Sequence, residues 1–203
     1  MMASRPRTAY FDFEVSLEGI KPRIWRRFVL RKNCTFYELH DTIQKACGWQ
    51  DCHLFDFHPV GSRERLGVSP HDEPWDEDDV APVAGAVRID SFFRHAGDKC
   101  IYVYDYGDGW EHAVELKGIE RLPSQARRKL IGGERAFPPE DCGGVHGYYQ
   151  CLEAFRISDA ELERLDEEQR EELLSVRTWF GDWDPERFDF EATARQLRRR
   201  VRC

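Results

Sequence analysis

The sequence predicts an α+β fold in which a mixed or antiparallel β-sheet carries a central helix, with C-terminal helices packed on it. Three observations predict this fold. Residues 11–18 alternate between apolar and polar side chains, residues 35–47 repeat apolar side chains at helical spacing, and residues 101–116 form two strand-like runs around a turn. The order strand, strand, helix, strand, strand, strand is β-grasp-like, and we expect a single domain over residues 8–200.

The first two predicted strands form a hairpin with one unusual feature. Every second residue from Phe11 to Leu17 is apolar, and residues 24–30 return as the second strand after a Gly/Pro turn. Arg26 shares the apolar face of this second strand. An inward arginine needs a partner, and Asp105 would supply one if it also points inward.

The next two elements place two histidines toward the core. Thr35 and Glu38 fit a capping box that begins a helix, and Gly48 is a natural residue to end it. His40 lies on the apolar face of this helix. His53 begins a third strand, where it is in phase with the apolar residues that follow.

Residues 62–86 differ in composition from their surroundings. Six acidic residues fall within residues 72–79, and prolines lie on both sides. This composition predicts an acidic, Pro-rich surface loop. The acids lack the spacing and the central glycine of an EF-hand loop, although a calcium site remains an alternative.

A second hairpin is predicted around Asp108-Gly109, a favoured two-residue turn. In that register Asp105 lies opposite His112, and both face the apolar core. Tyr102, Tyr104 and Tyr106 then form an aromatic outer face. The Asp–His pair allows three interpretations: a buried hydrogen bond that holds the register, a carboxylate that orients a metal ligand, or a general base.

The C-terminal half is predicted to be mostly helical. Residues 123–145 are expected to form a loop, and a helix covers residues 148–155. Ser158 and Glu161 form a second capping box, and a last helix runs from Pro185 or Asp189 to the end.

Composition favours a soluble cytoplasmic protein. The net charge is −8, and the seven cysteines include no C-x-x-C pair. The N-terminus has no secretory signal, and no apolar stretch reaches the roughly 18 residues of a membrane span. The acidic balance argues against nucleic-acid binding, except through a local basic tail formed by Arg195, Arg198, Arg199 and Arg200.

Histidines from separate elements could meet at a divalent metal such as zinc. We take His40, His53 and His112, with Asp105 beside the last, as candidate ligands. The alternative is that each histidine is a hydrogen-bonded core residue.

A second candidate region is the loop Pro138-Pro139-Glu140-Asp141-Cys142-Gly143-Gly144. Its prolines stiffen the chain and its glycines allow close approach, so Glu140 and Asp141 could reach a pocket. Alternatively, the two acids stabilise the start of a helix near His146. The candidate binding residues are therefore Asp105, Asp108, Trp110, Glu140, Asp141 and Arg26.

Several stretches together resemble a known family. They include Ile24-Trp25-Arg26-Arg27, Gly48-Trp49 through His53-Leu54-Phe55, Tyr104-Asp105-Tyr106-Gly107-Asp108 and the Pro138–Gly144 loop. The chain resembles the plasmid Orf-three-like family, named after a reading frame of an Ri plasmid. The resemblance implies association with mobile elements but no defined biochemical activity. Where relatives tend to carry cysteine, this chain has Leu130 and Phe137, so a thiolate metal cluster is not expected.

Three functions remain open. The first is a non-catalytic binding or adaptor module with a protein partner, and the second is a metal-binding protein or metal-dependent hydrolase built on the His/Asp cluster. The third is a nucleic-acid-associated protein. Common catalytic motifs are absent from the sequence, and so are the residue patterns of serine and tyrosine recombinases, so the resolvase label that some relatives carry is not supported.

Overall fold

A computed structural model describes residues 7–72, 81–123 and 127–199. Hydrogen bonding divides them into seven strands, five α-helices and a short 3₁₀ turn at Ile89–Ser91. The elements are β1 Arg7–Leu17, β2 Trp25–Arg31, α1 Phe36–Cys47, β3 Phe55–Pro59, β4 Gly67–Val68, β5 Lys99–Tyr104, β6 Trp110–Pro123, β7 Arg128–Glu134, α2 Gly144–Arg156, α3 Asp159–Leu162, α4 Glu167–Phe180 and α5 Phe190–Leu197.

The strands form one sheet in the order β4-β3-β5-β6-β1-β2-β7, and every pairing between them is antiparallel. The predicted α+β class is confirmed, and the six elements of the predicted ββαβββ order are all present. Two strands were not expected. The short β4 lies in the acidic loop, whose residues 73–80 are outside the described ranges, and β7 lies within residues 123–145, which were wrongly predicted to be loop.

The central helix lies against the sheet as its sequence predicts. The Thr35–Glu38 capping box is present, and Gly48 ends α1 in the left-handed conformation at φ 88°. Alternate residues of β1 belong to the core, among them Phe11 and Phe13, which are both fully buried. A cluster of aromatic rings from the helix, the sheet and the 3₁₀ region fills the core.

The second hairpin does not have the predicted register. Tyr102, not Asp105, lies opposite His112, and residues 105–109 form the connecting loop. Asp105 adopts a left-handed conformation at φ 57°, and its Oδ1 accepts hydrogen bonds from Gly107 N at 3.0 Å and Asp108 N at 3.3 Å. These local bonds stop the strand early. The partner of His112 therefore differs from the predicted one by three residues. Because three is an odd number, the side chains of β5 that were expected to face outward face the core, and those expected in the core face outward.

The exchange of faces removes the expected aromatic outer surface. Tyr102 and Tyr104 are 0% exposed and belong to the core, whereas Tyr106 is half-buried in the connecting loop. The same shift separates Asp105 from His112, so the predicted Asp–His hydrogen bond is wrong.

The C-terminal helices begin at the residues that cap them. The Ser158–Glu161 capping box is present but opens a helix of only four residues, and Asp166 and Asp189 cap α4 and α5. At the other end of α5, the buried Arg128 donates to the carbonyls of Leu197 at 2.6 Å and Arg199 at 2.8 Å. None of the described helices combines the length and apolar character needed to cross a bilayer.

Arg26 is buried, as its position in β2 predicted, but its partners are carbonyls and aromatic rings instead of Asp105. Its Nε donates to Ala46 O at 3.0 Å, and its NH1 donates to Trp25 O at 2.8 Å and Glu134 O at 3.1 Å. The guanidinium also lies 4.8 Å from the ring centre of Phe137 and 4.1 Å from that of Phe188. Burial lowers the pKa of Arg26 to about 10, so the side chain remains cationic at neutral pH.

We expect Arg26→Met to lower the free energy of unfolding by about 3 kcal/mol, because the Ala46 and Glu134 carbonyls lose a charged donor. Urea unfolding at pH 7 measures the change. Arg23→Met is the matched control, since Arg23 is largely exposed and forms a surface ion pair with Glu14, and we expect it to change stability by less than about 0.5 kcal/mol. Equal stability of the two variants would contradict the role assigned to Arg26.

His112 should make the fold sensitive to acid. The side chain is 0% exposed, its Nδ1–H donates to Tyr102 O at 3.3 Å, and burial lowers its pKa to about 4. The unfolded chain therefore binds a proton near pH 6.5 that the folded chain excludes until about pH 4. Stability due to neutral His112 is present above pH 6.5 and is lost, by about 3 kcal/mol in all, as the pH falls to about 4.

The test is urea unfolding of His112→Phe between pH 7 and pH 4. The phenyl ring keeps the packing against Phe137 and Trp49 but cannot titrate, so we expect a shallower decline than in the wild-type protein. His95→Gln is the control, because His95 is exposed. An unchanged decline in His112→Phe would show that other groups cause the acid sensitivity.

Candidate metal centre

Three potential metal ligands from three separate loops meet at one end of the sheet. His53 Nε2 lies 2.9 Å from Asp141 Oδ1 and 3.7 Å from Asp105 Oδ2, and the three donor atoms all lie within 4.8 Å of one another. Asp105 is buried, His53 is partly buried and Asp141 is exposed, so the group is open to solvent on one side. Among the described residues, these three form the one group of three or more His, Cys, Asp or Glu side chains whose donor atoms lie close enough to share a metal ion.

The antiparallel pairing of β3 with β5 brings the first two ligands together. His53 comes just before β3 and Asp105 just after β5, so both lie at the same end of this strand pair. The backbone N–H of Asp105 donates to Leu54 O at 2.9 Å, which fixes the hairpin loop beside the start of β3. Since Oδ1 of Asp105 accepts the two loop N–H groups, Oδ2 is left to face His53.

Glu140 anchors the loop that supplies Asp141. The Tyr104 hydroxyl donates to Glu140 Oε1 at 2.7 Å, and the backbone N–H of Gln50 donates to Oε2 at 2.8 Å. The Trp49 indole N–H adds a bond to Pro138 O at 2.9 Å. Both oxygens of Glu140 therefore serve to position the loop, and the neighbouring Asp141 is the residue that reaches His53.

Tyr104 supports the centre from below. Its ring packs edge-on against His53 at 5.7 Å, and its hydroxyl accepts the backbone N–H of Cys52 at 3.1 Å while donating to Glu140. Burial and the Glu140 acceptor raise the pKa of Tyr104 well above its usual value, so the hydroxyl keeps its proton. This fully buried side chain thus holds the segments that carry His53 and Asp141.

Two glycines allow the third loop to approach the hairpin closely. Gly144 has φ 67°, and a Cβ on it would lie 2.3 Å from Asp108 O. Asp108 Oδ2 in turn accepts the Gly143 N–H at 3.1 Å. Asp108 therefore joins the hairpin loop to the start of α2.

The sequence-predicted metal ligands are only partly brought together. His53 and Asp105 are in the group, whereas His40 and His112 are not. His40 is fully buried, with Nδ1 2.8 Å from the Tyr102 hydroxyl and Nε2 2.7 Å from Asp51 Oδ1. His112 is enclosed by the rings of Trp49 and Phe137, and among the described atoms its Nε2 has no hydrogen-bond partner.

The other predicted binding residues have structural positions. Arg26 and Trp110 are buried, and Asp108 and Glu140 are used in loop contacts. The interpretation that Glu140 and Asp141 cap the following helix is wrong, because Gly143 is the N-cap of α2 and no side chain caps it. Sequence reasoning included Asp141 as a binding residue but missed its meeting with His53, and it missed the anchoring role of Tyr104.

The arginines of the first hairpin and of the predicted basic tail have different surroundings. Arg26 is buried, Arg27 forms a two-bond pair with Asp12, and Arg23 pairs with Glu14. Arg195, Arg198 and Arg199 are exposed at the end of α5, and Arg200 lies outside the described ranges.

Comparisons with known proteins identify the family of this α+β chain. The chain belongs to the plasmid pRiA4b ORF-3-like protein family, whose model matches residues 9–192. It is 31% identical over 152 residues, 74% of each chain, to the uncharacterized protein y4hQ of Sinorhizobium fredii strain NGR234. The crystal structure of the protein of unknown function MM3350 from Methanosarcina mazei Go1 is similar, with a TM-score of 0.73 and 30% identity over 92% of this chain and 97% of that one.

The close packing at Gly144 gives a stability prediction. Gly144→Ala places a methyl group against Asp108 O and strains a left-handed backbone, so we expect a loss of about 2 to 4 kcal/mol in unfolding free energy. Gly85→Ala is the matched control, because its Cβ meets open space and its φ is not left-handed. Thermal unfolding compares the two variants, and an unaffected Gly144→Ala would contradict the loop contact.

Proposed function

We propose that the protein binds a divalent transition-metal ion through His53 Nε2, Asp105 Oδ2 and Asp141 Oδ1. The observation that carries this proposal is the convergence of three donor atoms from three loops within 4.8 Å. Neighbouring ligands of an ion with bonds of about 2.1 Å lie roughly 3 Å apart. The 2.9 Å and 3.7 Å separations from His53 need only a small adjustment to reach that geometry.

The chemistry of the donors favours particular ions. One imidazole and two carboxylates suit Zn²⁺, Mn²⁺ or Fe²⁺ better than Ca²⁺, which prefers a larger set of oxygen ligands. Three protein ligands also leave coordination positions for water or a ligand molecule, as in catalytic zinc sites and unlike closed structural ones. The proposal is therefore a metal centre that acts on or holds a ligand.

The stretches that carry the family resemblance support the same location. Gly48 through Phe55 supplies His53, Tyr104–Asp108 supplies Asp105, and Pro138–Gly144 supplies Asp141. A purely adaptor role has less support, because the tyrosine face expected for docking lies in the core.

Metal content and affinity test the proposal. Purified untagged protein is stripped with chelator and titrated with Zn²⁺ and Mn²⁺ by calorimetry, and bound metal is counted by elemental analysis. We expect one ion per chain in the wild-type protein. His53→Ala and Asp141→Ala should each weaken binding by at least about 100-fold, since each removes a direct ligand.

Two controls separate this centre from other histidines. His112→Phe and His95→Gln should retain wild-type metal affinity, because neither residue belongs to the donor group. Bound metal should also raise the thermal midpoint of the wild-type protein and not that of His53→Ala. A wild-type protein that takes up no metal, with His53→Ala merely less stable, would show that His53 is only an ion-pair partner of the two aspartates.

A further inference from the structure

A cleft of about 520 Å³ adjoins the candidate metal centre. Its walls come from the end of α1, the loop around Phe137–Asp141, the end of α4 and residues 183–196. Asp141 belongs both to this cleft and to the metal-ligand group. His53 and Asp105 do not line the cleft, so an ion held by the three ligands would lie at its edge, beside Asp141.

The cleft presents aromatic rings whose orientation is fixed. Trp49 and Trp183 line it, and their indole N–H groups donate to Pro138 O at 2.9 Å and Phe137 O at 3.0 Å. Trp179 also lines it and is 72% exposed, which is the largest exposure among the big apolar side chains described. Its ring stacks on Phe180 with an interplanar angle of 7°. Exposed tryptophan is costly, and a planar ligand would cover it.

The charged groups of the cleft favour an anion only when a metal is present. Glu140 and Asp141 line the cleft and repel a phosphate or carboxylate. A divalent ion at the metal centre reverses that local charge. Arg187 also lines the cleft, and its side chain is 71% exposed. Its ion pair with Asp189, a carboxylate that lines the cleft as well, is long at 4.0 Å, so a phosphate can compete for the guanidinium.

We propose that the cleft binds a nucleotide, with the base stacked on Trp179 and the phosphate shared between Arg187 and the metal ion. This inference rests on the metal centre proposed above. A nucleotide combines in one small molecule the three features that the cleft addresses: a planar ring, a phosphate anion and metal coordination. Metal and nucleotide must then strengthen each other's binding by the same factor.

The experiment is a titration of the untagged full chain with adenosine monophosphate, followed by calorimetry and tryptophan fluorescence. It is run with saturating Mn²⁺ and again after removal of metal with chelator. We expect binding with metal and at least a tenfold weaker affinity without it. Adenosine, which lacks the phosphate, should bind weakly and independently of metal, and ribose 5-phosphate should depend on metal but not on Trp179.

Two variants separate the cleft from the metal centre. Trp179→Ala should weaken nucleotide binding by about 5- to 150-fold, the usual loss of one stacked base, and leave Mn²⁺ affinity in the absence of nucleotide unchanged. Phe190→Ala is the matched control, because Phe190 is an exposed aromatic residue that does not line this cleft, and it should bind nucleotide as the wild-type protein does.

The results of the metal and nucleotide titrations distinguish failure of this inference from failure of the proposed metal centre. Normal Mn²⁺ binding combined with equal nucleotide affinity in the wild-type protein and Trp179→Ala would overturn this inference and leave the metal centre intact. Nucleotide binding that is unaffected by chelator in metal-loaded protein would also overturn it. Absence of metal binding in the first titration would overturn the proposed function, and this inference with it.

Discussion

The buried guanidinium of Arg26 is the interaction on which the arrangement of the other elements depends. One side chain binds carbonyls at the end of α1 and at the end of β7, and it lies against the rings of Phe137 and Phe188. Gly133 is required beside it, since a Cβ there would lie 2.7 Å from Arg26 Cδ. The helix, the sheet edge, the loop that follows β7 and the C-terminal segment are thus fixed relative to one another by a single cation.

The candidate centre is built on that arrangement. Phe137, held under Arg26, begins the loop that ends at Asp141, and the Trp49 bond to Pro138 and the Glu140 carboxylate hold the rest of it. Tyr104 connects this loop to the core of the sheet. Loops carry the ligands, but buried side chains determine where the loops lie, which is the usual way in which a precise site is formed on flexible segments.

Local signals in the sequence predicted most elements, while the features that depend on distant contacts were missed. Both capping boxes, the Gly48 stop and the alternation in β1 follow from hydrogen bonds or periodicity within a few residues. The register of the second hairpin does not follow from such local signals. Asp108-Gly109 favours a two-residue turn. However, the Asp105 carboxylate accepts a hydrogen bond from the backbone of its own loop, and the Asp105 N–H donates to Leu54 O. The loop is therefore longer than predicted, and the two faces of β5 exchange. The inward position of Arg26 was readable from its strand, whereas its carbonyl partners come from segments 20 and 108 residues away.

The balance of charge differs among the carboxylates of the protein, some of which pair with arginine and others with histidine, as Asp51 does with His40 and Asp56 with His58. Asp12 pairs with Arg27, Asp41 with Arg128 and Asp72 with Arg65, so each of these shielded carboxylates faces a permanent cation. Within the described ranges, the ion pairs of Asp105 and Asp141 lead only to His53. Two carboxylates facing one imidazole concentrate negative charge at this end of the sheet, which the divalent cation of the proposed function would balance. An arginine at position 53 would pair permanently with both carboxylates, whereas the imidazole of His53 also has the donor atom that the proposed metal centre requires.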